Sequence, residues 1–423
     1  MLRLFKRFNT SLALGKVSNE YVTVVLNKEH TLVYSTVFLR DSCRSPESVD
    51  PHSQQKLFTT AEISKNLQIN SPPKIITSAN NEPALQIEWN QGGKLHTSEY
   101  PHSFLERYSD VTSRRRDKFF EATRKLWAKD QIDRDFAATN VEYSDYVNNQ
   151  PDFFRVANVL NDVGIAFINN VPHPTLSEMN EENSPNWPIS TIANKFGYIK
   201  KTFYGTLFDV KNKKDATNIA YTNSFLPLHM DLLYYESPPG LQFLHAIQNS
   251  TLGGENVFCD SFLAAQHVRE KDPEAYFALT EVPITFQYDN DNEYYYYQRP
   301  LIVEKELIDP ATNYPYIKEV NYSPPFQGPF ELGITKNNKN SAHHLFKDFT
   351  RGLQLFEDFI NDPQNQLQVK LKEGTCVVFD NRRVLHSRLE FSDENGGDRW
   401  LMGCYVDGDS FRSRVRIARR ASA

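Results

Sequence analysis

Apolar and polar positions alternate along the first hundred residues. Tyr21 to Leu26, Leu32 to Leu39 and Leu85 to Trp89 follow a two-residue period, and Asn90-Gln91-Gly92-Gly93 is a turn signal after Trp89. A period of two sends successive side chains to opposite faces, so these are predicted strands with one buried face. They make a small β-rich domain over 20–109. Asp110 to Asp130 is basic and polar with Phe119, Phe120 and Trp127, and reads as a helical linker within 110–134. Phe153, Phe154, Val156, Leu160 and Val163 then recur at helical spacing. Beyond them the β pattern returns at Gly164 to Ile168, Gly240 to Ile247, Val282 to Tyr288, Gly374 to Phe379 and Arg399 to Val406. A further helix is predicted over Ala342 to Ile360, and the run Tyr294 to Tyr297 reads as an edge strand or loop. Many strands with long insertions and few helices predict a mainly β, α+β domain over 135–423, a barrel or sandwich decorated by helices.

Composition narrows the classes. Hydrophobic residues are 39% and charged residues 24% of 423, which supports a large core and excludes wholesale disorder. The net charge of −6 gives no electrostatic reason to expect a nucleic-acid partner. No run approaches the ~20 apolar residues of a membrane span. Cys43, Cys259, Cys376 and Cys404 lie too far apart to suggest a disulfide scaffold or a CxxC zinc site, so a reducing compartment is expected. The start of the chain differs from the rest. Arg3, Lys6, Arg7 and Lys16 precede the first acid, Glu20, and Leu2, Leu4, Phe5, Phe8, Leu12 and Leu14 can share a helical face. That is the pattern of a mitochondrial presequence, expected over 1–19.

The first chemical signal is His229-Met230-Asp231. On a strand, an imidazole and a carboxylate two residues apart share a face and could bind one metal. With 11 histidines and 53 acids in the chain, about one His-x-acid triplet is expected by chance. What raises its weight is His386, far downstream, and Arg399, thirteen residues beyond it. Two imidazoles and a carboxylate hold iron(II) on one face and leave three positions open. A 2-oxo acid can chelate two of these and dioxygen takes the third. The distal carboxylate of 2-oxoglutarate then calls for a fixed, bidentate cation, which favours Arg399 over a lysine.

A series of ordered segments carries a family resemblance. They are Phe38-Leu39-Arg40-Asp41-Ser42-Cys43, Thr202-Phe203-Tyr204-Gly205, Asn218-Ile219-Ala220-Tyr221-Thr222, Leu228-His229-Met230-Asp231, Pro238 to Gln242 and Gly253-Gly254-Glu255. Asp380-Asn381-Arg382-Arg383-Val384-Leu385-His386 and Arg399 to Asp407 complete the set. The chain resembles the gamma-butyrobetaine dioxygenase and trimethyllysine dioxygenase group of iron(II)/2-oxoglutarate oxygenases, within the taurine-dioxygenase-like superfamily. The resemblance implies a double-stranded β-helix, or jelly-roll, catalytic domain. It places His229, Asp231 and His386 on iron and Arg399 on 2-oxoglutarate, with Asn256 near the cosubstrate, where many relatives have Ser or Thr. It also implies a homodimer, which nothing in the residues shows directly.

The resemblance further implies an aromatic cage for a trimethylammonium group, which has no N–H to donate and is held by ring faces. Tyr204, Phe208, Tyr221 and Tyr405 match the cage positions. Phe208 departs from the tryptophan of butyrobetaine enzymes. Asn218 matches the amide that helps hold a substrate carboxylate there, whereas trimethyllysine enzymes resemble Asp at this point. On the predicted strand from Arg399, odd positions share a face, so Arg399 and Tyr405 can line one cavity with Gly403 leaving room between them. The implied activity is hydroxylation of gamma-butyrobetaine to L-carnitine. The alternatives are hydroxylation of trimethyllysine, or a divergent mitochondrial protein that keeps the fold without catalysis. One departure concerns the N-terminal domain, whose family zinc site uses three cysteines and a histidine. Here Cys43 and His96 are kept but Ser45 and Ser48 replace the other two, so no zinc is expected.

Overall fold

The computed structural model describes residues 11–211, 225–331, 345–392 and 397–422. The chain forms two compact units, Met1–Lys118 and Phe119–Ala423. In the first, Leu12–Val17, Tyr21–Leu26 and His30–Ser35 make an antiparallel sheet. In a second sheet Pro83–Gln91 pairs with Lys94–Pro101 along one edge and with Leu67–Ile69 and Lys74–Thr77 along the other. The alternation seen in the sequence has its expected outcome: Leu85, Ile87 and Trp89 are buried together with Val22, Val24, Tyr100 and Leu105.

Two segments differ from expectation. The strand predicted to run to Leu39 stops at Ser35, and Thr36–Asp41 is a short helix. The Thr36 backbone and hydroxyl both bond to carbonyls at Asn19 and Glu20, which ends the ladder and turns Leu39 inward. Within the predicted presequence, Leu12–Val17 is a strand paired with Tyr21–Leu26, and Leu12 joins the buried cluster. Leu12 and Leu14 are two apart, a spacing that suits a strand as well as a helix. Residues 1–10 lie outside the described residues.

The second unit is built on two sheets. The larger has the order Phe208–Lys211, Arg399–Val406, Leu241–Asn249, Thr375–Asp380, Ile165–Asn169, Asn140–Glu142, antiparallel except for its last pair. The smaller has the order Leu226–His229, Val384–Arg388, Asn256–Asp260, Gln366–Val369. Strands distant in sequence are neighbours in both, as in a jelly roll. Central strands of the larger sheet are buried on both faces, which explains their nearly continuous apolar sequences. Leu244, Val377, Phe379, Leu401 and Tyr405 join one core cluster with Phe258 and Leu385 of the smaller sheet. Phe243, Ile247, Met402 and Cys404 belong to another, with Val156 and Leu160 of helix Gln150–Asp162 and Phe411 and Val415 of helix Gly408–Ser422. The mainly β, α+β expectation is met. The helix predicted from Ala342 is present as Phe346–Asn361; its expected first residues lie outside the described residues. The tyrosine run forms part of the hairpin strand Glu293–Pro300. Among the described residues no helix is long and apolar enough to cross a membrane.

Candidate active site

His229 ends the strand Leu226–His229 and sits directly opposite His386 on Val384–Arg388. Pairing on adjacent strands brings the two rings to 4.2 Å between centroids. Asp231 is placed differently from the alternation argument. The strand stops at His229, and Leu232 has φ 58°, a left-handed conformation rare for a branched residue. What aims the carboxylate is Asn381, fully buried just past the end of Thr375–Asp380. The Asp231 amide donates to Asn381 Oδ1 at 2.9 Å, and Asn381 Nδ2 donates to the carbonyl of Asp231 at 3.0 Å. One ligand atom from each of His229, Asp231 and His386 lies within 4.8 Å of the others, so the trio could hold a metal ion. Asp231 Oδ1 is 3.2 Å from His229 Nε2 and 3.8 Å from His386 Nε2.

The donors are in metal-binding form. His229 Nδ1 lies 2.8 Å from the carbonyl of Pro227, an acceptor that calls for N–H there and leaves Nε2 as the ring atom facing the centre. Burial works against charge on Asp231, but His386, His229 and the Tyr405 hydroxyl together hold its carboxyl below the usual range. Burial, then the neighbouring His229, pushes His386 down to about 3, so its imidazole is neutral. Two imidazoles and an ionised carboxylate are the donor set of non-haem iron(II), and the residues fit that ion.

A cavity of about 70 Å³ opens beside the trio. Arg399, the first residue of its strand, lines it, and burial, then the charge of Arg388, pushes Arg399 down to about 9. Among the described residues its Nε has no hydrogen-bond partner, nor does Oδ1 of buried Asn256 on the same cavity. An unmatched buried donor is costly, and an anionic cosubstrate would match the Arg399 Nε–H, whereas Asn256 Oδ1 is an acceptor and calls for a donor. Phe208 lies opposite Gly403 in the sheet, where an added Cβ would be 2.2 Å from the Phe208 ring. Gly403 is therefore what lets Phe208 lie flat and stack on Tyr405, with centroids 5.0 Å apart. Tyr204 adjoins Phe208 at 6.2 Å, and the Tyr405 hydroxyl donates to Asp231 Oδ2 at 2.8 Å. Asn218 and Tyr221 lie outside the described residues. Nothing local in the sequence assigns a role to Asn381 or Arg388. Asn381 lies in one of the segments that carry the resemblance, and Arg388, two residues beyond His386 on one strand, shares its face.

The first unit holds a second histidine cluster. Cys43 Sγ lies 3.2 Å from His96 Nε2, while the Ser48 hydroxyl is 3.4 Å from the same nitrogen and the Ser45 hydroxyl is 3.4 Å from Sγ. His96 Nδ1 meets Glu47 Oε2 at 3.0 Å. The four positions of the expected family site do converge. Two neutral hydroxyls beside one thiol and one imidazole do not fit a tetrahedral zinc centre.

A jelly roll with two histidines and a carboxylate converging beside a buried arginine defines the class of non-haem iron oxygenases. The sequence matches the Taurine catabolism dioxygenase TauD, TfdA family over residues 128–405, and residues 16–106 match the Gamma-butyrobetaine hydroxylase-like, N-terminal family. The chain belongs to this TauD/TfdA family of iron(II)/2-oxoglutarate-dependent dioxygenases, as the resemblance implied. It is 35% identical to Dioxygenase str8 of Strobilurus tenacellus, over 91% of this chain and 85% of that protein. It is 34% identical to a Saccharomyces cerevisiae protein named Probable oxidoreductase AIM17, over 92% and 86%. Against Gamma-butyrobetaine dioxygenase of Pseudomonas sp. (strain AK-1) the identity is 26%, over 92% and 91%.

Proposed function

We propose that the protein hydroxylates an unactivated C–H bond of a small trimethylammonium substrate, with gamma-butyrobetaine to L-carnitine the conversion its residues match best. In this reading His229, Asp231 and His386 hold iron(II), Arg399 takes the distal carboxylate of 2-oxoglutarate, and Asn256 bonds beside it. When bound, iron(II) supplies dioxygen activation coupled to decarboxylation of 2-oxoglutarate to succinate, with one oxygen atom delivered to substrate carbon. The chain itself contributes positioning. The observation that carries the reading is the aromatic wall Tyr204–Phe208–Tyr405, which begins at the metal trio through the bond from Tyr405 to Asp231. Ring faces suit a cation without N–H donors. By the resemblance, Asn218 would meet the substrate carboxylate and Tyr221 would add another ring.

The test is a panel of gamma-butyrobetaine, trimethyllysine and uncharged carbon isosteres with iron(II) and 2-oxoglutarate in air. Succinate release above the substrate-free background is expected first for gamma-butyrobetaine, with a product heavier by one oxygen atom. If no quaternary amine stimulates release from iron-loaded protein, the reading fails. A second reading is an uncharged substrate. It is favoured by Phe208, a weaker cation partner than tryptophan, and by the more similar relatives, whose names specify no quaternary amine. The same panel separates the two. The proposal includes mitochondrial import directed by residues ahead of Leu12, since removal of all nineteen would strip a strand from the first sheet. It also includes a homodimer, which sedimentation would reveal.

A further inference from the structure

The tyrosine run Tyr294 to Tyr297 has no part in the site described above, yet ring contacts join it to that site. On its strand, Glu293–Pro300, Tyr295 lies 5.3 Å from the ring of Phe203 and 4.7 Å from that of Tyr235. Phe203 lies 4.0 Å from Tyr204, one end of the aromatic wall whose other end bonds to Asp231. From Tyr405 through Phe208, Tyr204 and Phe203 to Tyr295, no step between rings exceeds 6.2 Å. A second branch passes through buried Tyr234, 6.1 Å from Tyr295 and 5.6 Å from Tyr288, whose hydroxyl is close to Tyr204 and Asp231.

Packing alone would be served by phenylalanine, because a buried phenol hydroxyl is desolvated at a cost. Here burial raises the hydroxyls of Tyr234 and Tyr235, so both phenols are neutral. What a phenol adds to a plain ring is chemistry: it gives up one electron together with one proton far more readily. At the outer end each phenol faces a carboxylate. The Tyr295 hydroxyl is bonded to Glu293, Tyr288 donates to Asp291 Oδ2 at 3.5 Å and Tyr296 to Glu331 Oε1 at 3.0 Å. A carboxylate accepts the proton that leaves with the electron, which favours the electron hole at that end. Tyr294 and Tyr296, beside Tyr295, are 68% and 43% exposed, so a reductant in solvent can reach the end of the path.

We propose that these tyrosines are an electron relay from the metal centre to the surface of the hairpin Pro283–Asn290 and Glu293–Pro300, and that it discharges the oxidising power left when oxygen is activated without substrate. Two tyrosines each give one electron through the chain to the metal and one proton to a neighbouring carboxylate. Two electrons, with two protons taken up at the site, reduce the oxygen atom left by decarboxylation to water and return the metal to iron(II). Two neutral tyrosyl radicals remain, and ascorbate in the solvent restores both by giving up two hydrogen atoms and becoming dehydroascorbate. The inference rests on family membership and goes beyond the trimethylammonium reading, since its test contains no prime substrate.

The test mixes iron(II)-loaded protein with 2-oxoglutarate and air, freezes it and reads electron paramagnetic resonance, with succinate measured in the same sample. Wild type is expected to show a tyrosyl radical, identified by altered hyperfine splitting in protein grown on ring-deuterated tyrosine, and ascorbate is expected to erase it. Tyr295→Phe keeps the ring but not the oxidisable hydroxyl. It is expected to lose most of the radical per succinate formed, and to gain oxygen atoms, read by mass spectrometry, on residues beside the metal. Tyr234→Phe cuts one branch and should show a smaller loss. Tyr198→Phe, at a tyrosine 92% exposed and outside these ring contacts, should match wild type. Mn(II) uptake and melting are measured for each variant; a packing role would move those and leave the radical per succinate unchanged. The proposal is overturned if wild type forms succinate without a tyrosyl radical, or if Tyr295→Phe and Tyr198→Phe give the same radical yield. It is equally overturned if no succinate forms, since the relay then has no oxidant. Stimulation of succinate release by quaternary amines, or its lack, bears on the substrate reading alone.

Discussion

The two histidine clusters began from similar chemistry and ended differently. At His229, Asp231 and His386 the donors converge and their hydrogen bonds run outward, to Pro227, Asn381 and Tyr405. At Cys43 and His96 the remaining positions are hydroxyls that bond inward, so the centre is filled by the cluster's own contacts. The difference teaches that ligand-type residues in proximity do not make a metal site. What matters is whether the donor types suit one ion and whether bonds from outside orient them on one centre.

Four experiments break or sharpen that contrast. Asp231→Ala should remove the one anionic donor and weaken Mn(II) uptake by more than the ~10–100-fold typical of an outer partner; calorimetry reads it, and near-normal uptake would refute the assignment. Ser45→Cys with Ser48→Cys restores the soft donor set of the first unit. At zinc near 100 times the dissociation constant this should stabilise that unit by about 2.7 kcal/mol, while zinc leaves wild-type melting unchanged. Asn381→Ala leaves all three donors in place but removes what aims Asp231. A ~10-fold loss of metal affinity is expected, with the histidines intact.

The smallest effect is a pH dependence. Burial would raise the Cys43 thiol, but donors from Ser45, Ser98, the Ser45 amide and His96 more than offset it and bring it down to about 6. A thiol depressed on folding from 9.0 adds stability that is full above pH 9 and is lost as pH falls towards 6. Ser45→Ala removes one donor and should cut that gain by ~1 kcal/mol at pH 9, with no change near pH 6. Denaturant midpoints across that range measure it; coincident profiles for the two proteins would exclude the thiolate.

Much of this was legible in the chain because it follows from short-range rules. Period-two stretches became strands, and His229, Asp231 and His386 lie together on a cavity that Arg399 also lines. Other features were not. The helix Thr36–Asp41 arises where Thr36 closes on Asn19 and Glu20, contacts invisible to a local pattern. Leu12–Val17 satisfied two periodicities, and only its pairing with Tyr21–Leu26 decided between them. Asn381 acts 150 positions from Asp231, and Arg388 is indistinguishable in the sequence from the solvated basic residue that a strand ordinarily carries.

By itself, then, the sequence determined where the β segments fall, the order of the His229, Asp231, His386 and Arg399 side chains, and the presence of Ser45 and Ser48 beside Cys43. Those depend on residue type and spacing, which a linear string carries in full. The tertiary structure alone decided that Asp231 is aimed by an asparagine rather than by strand alternation, that Gly403 makes the bed for Phe208, and that two guanidiniums share one ring and one cavity. Each depends on which strands become neighbours in the sheets, and that follows from the collective burial of the core, which no local segment encodes.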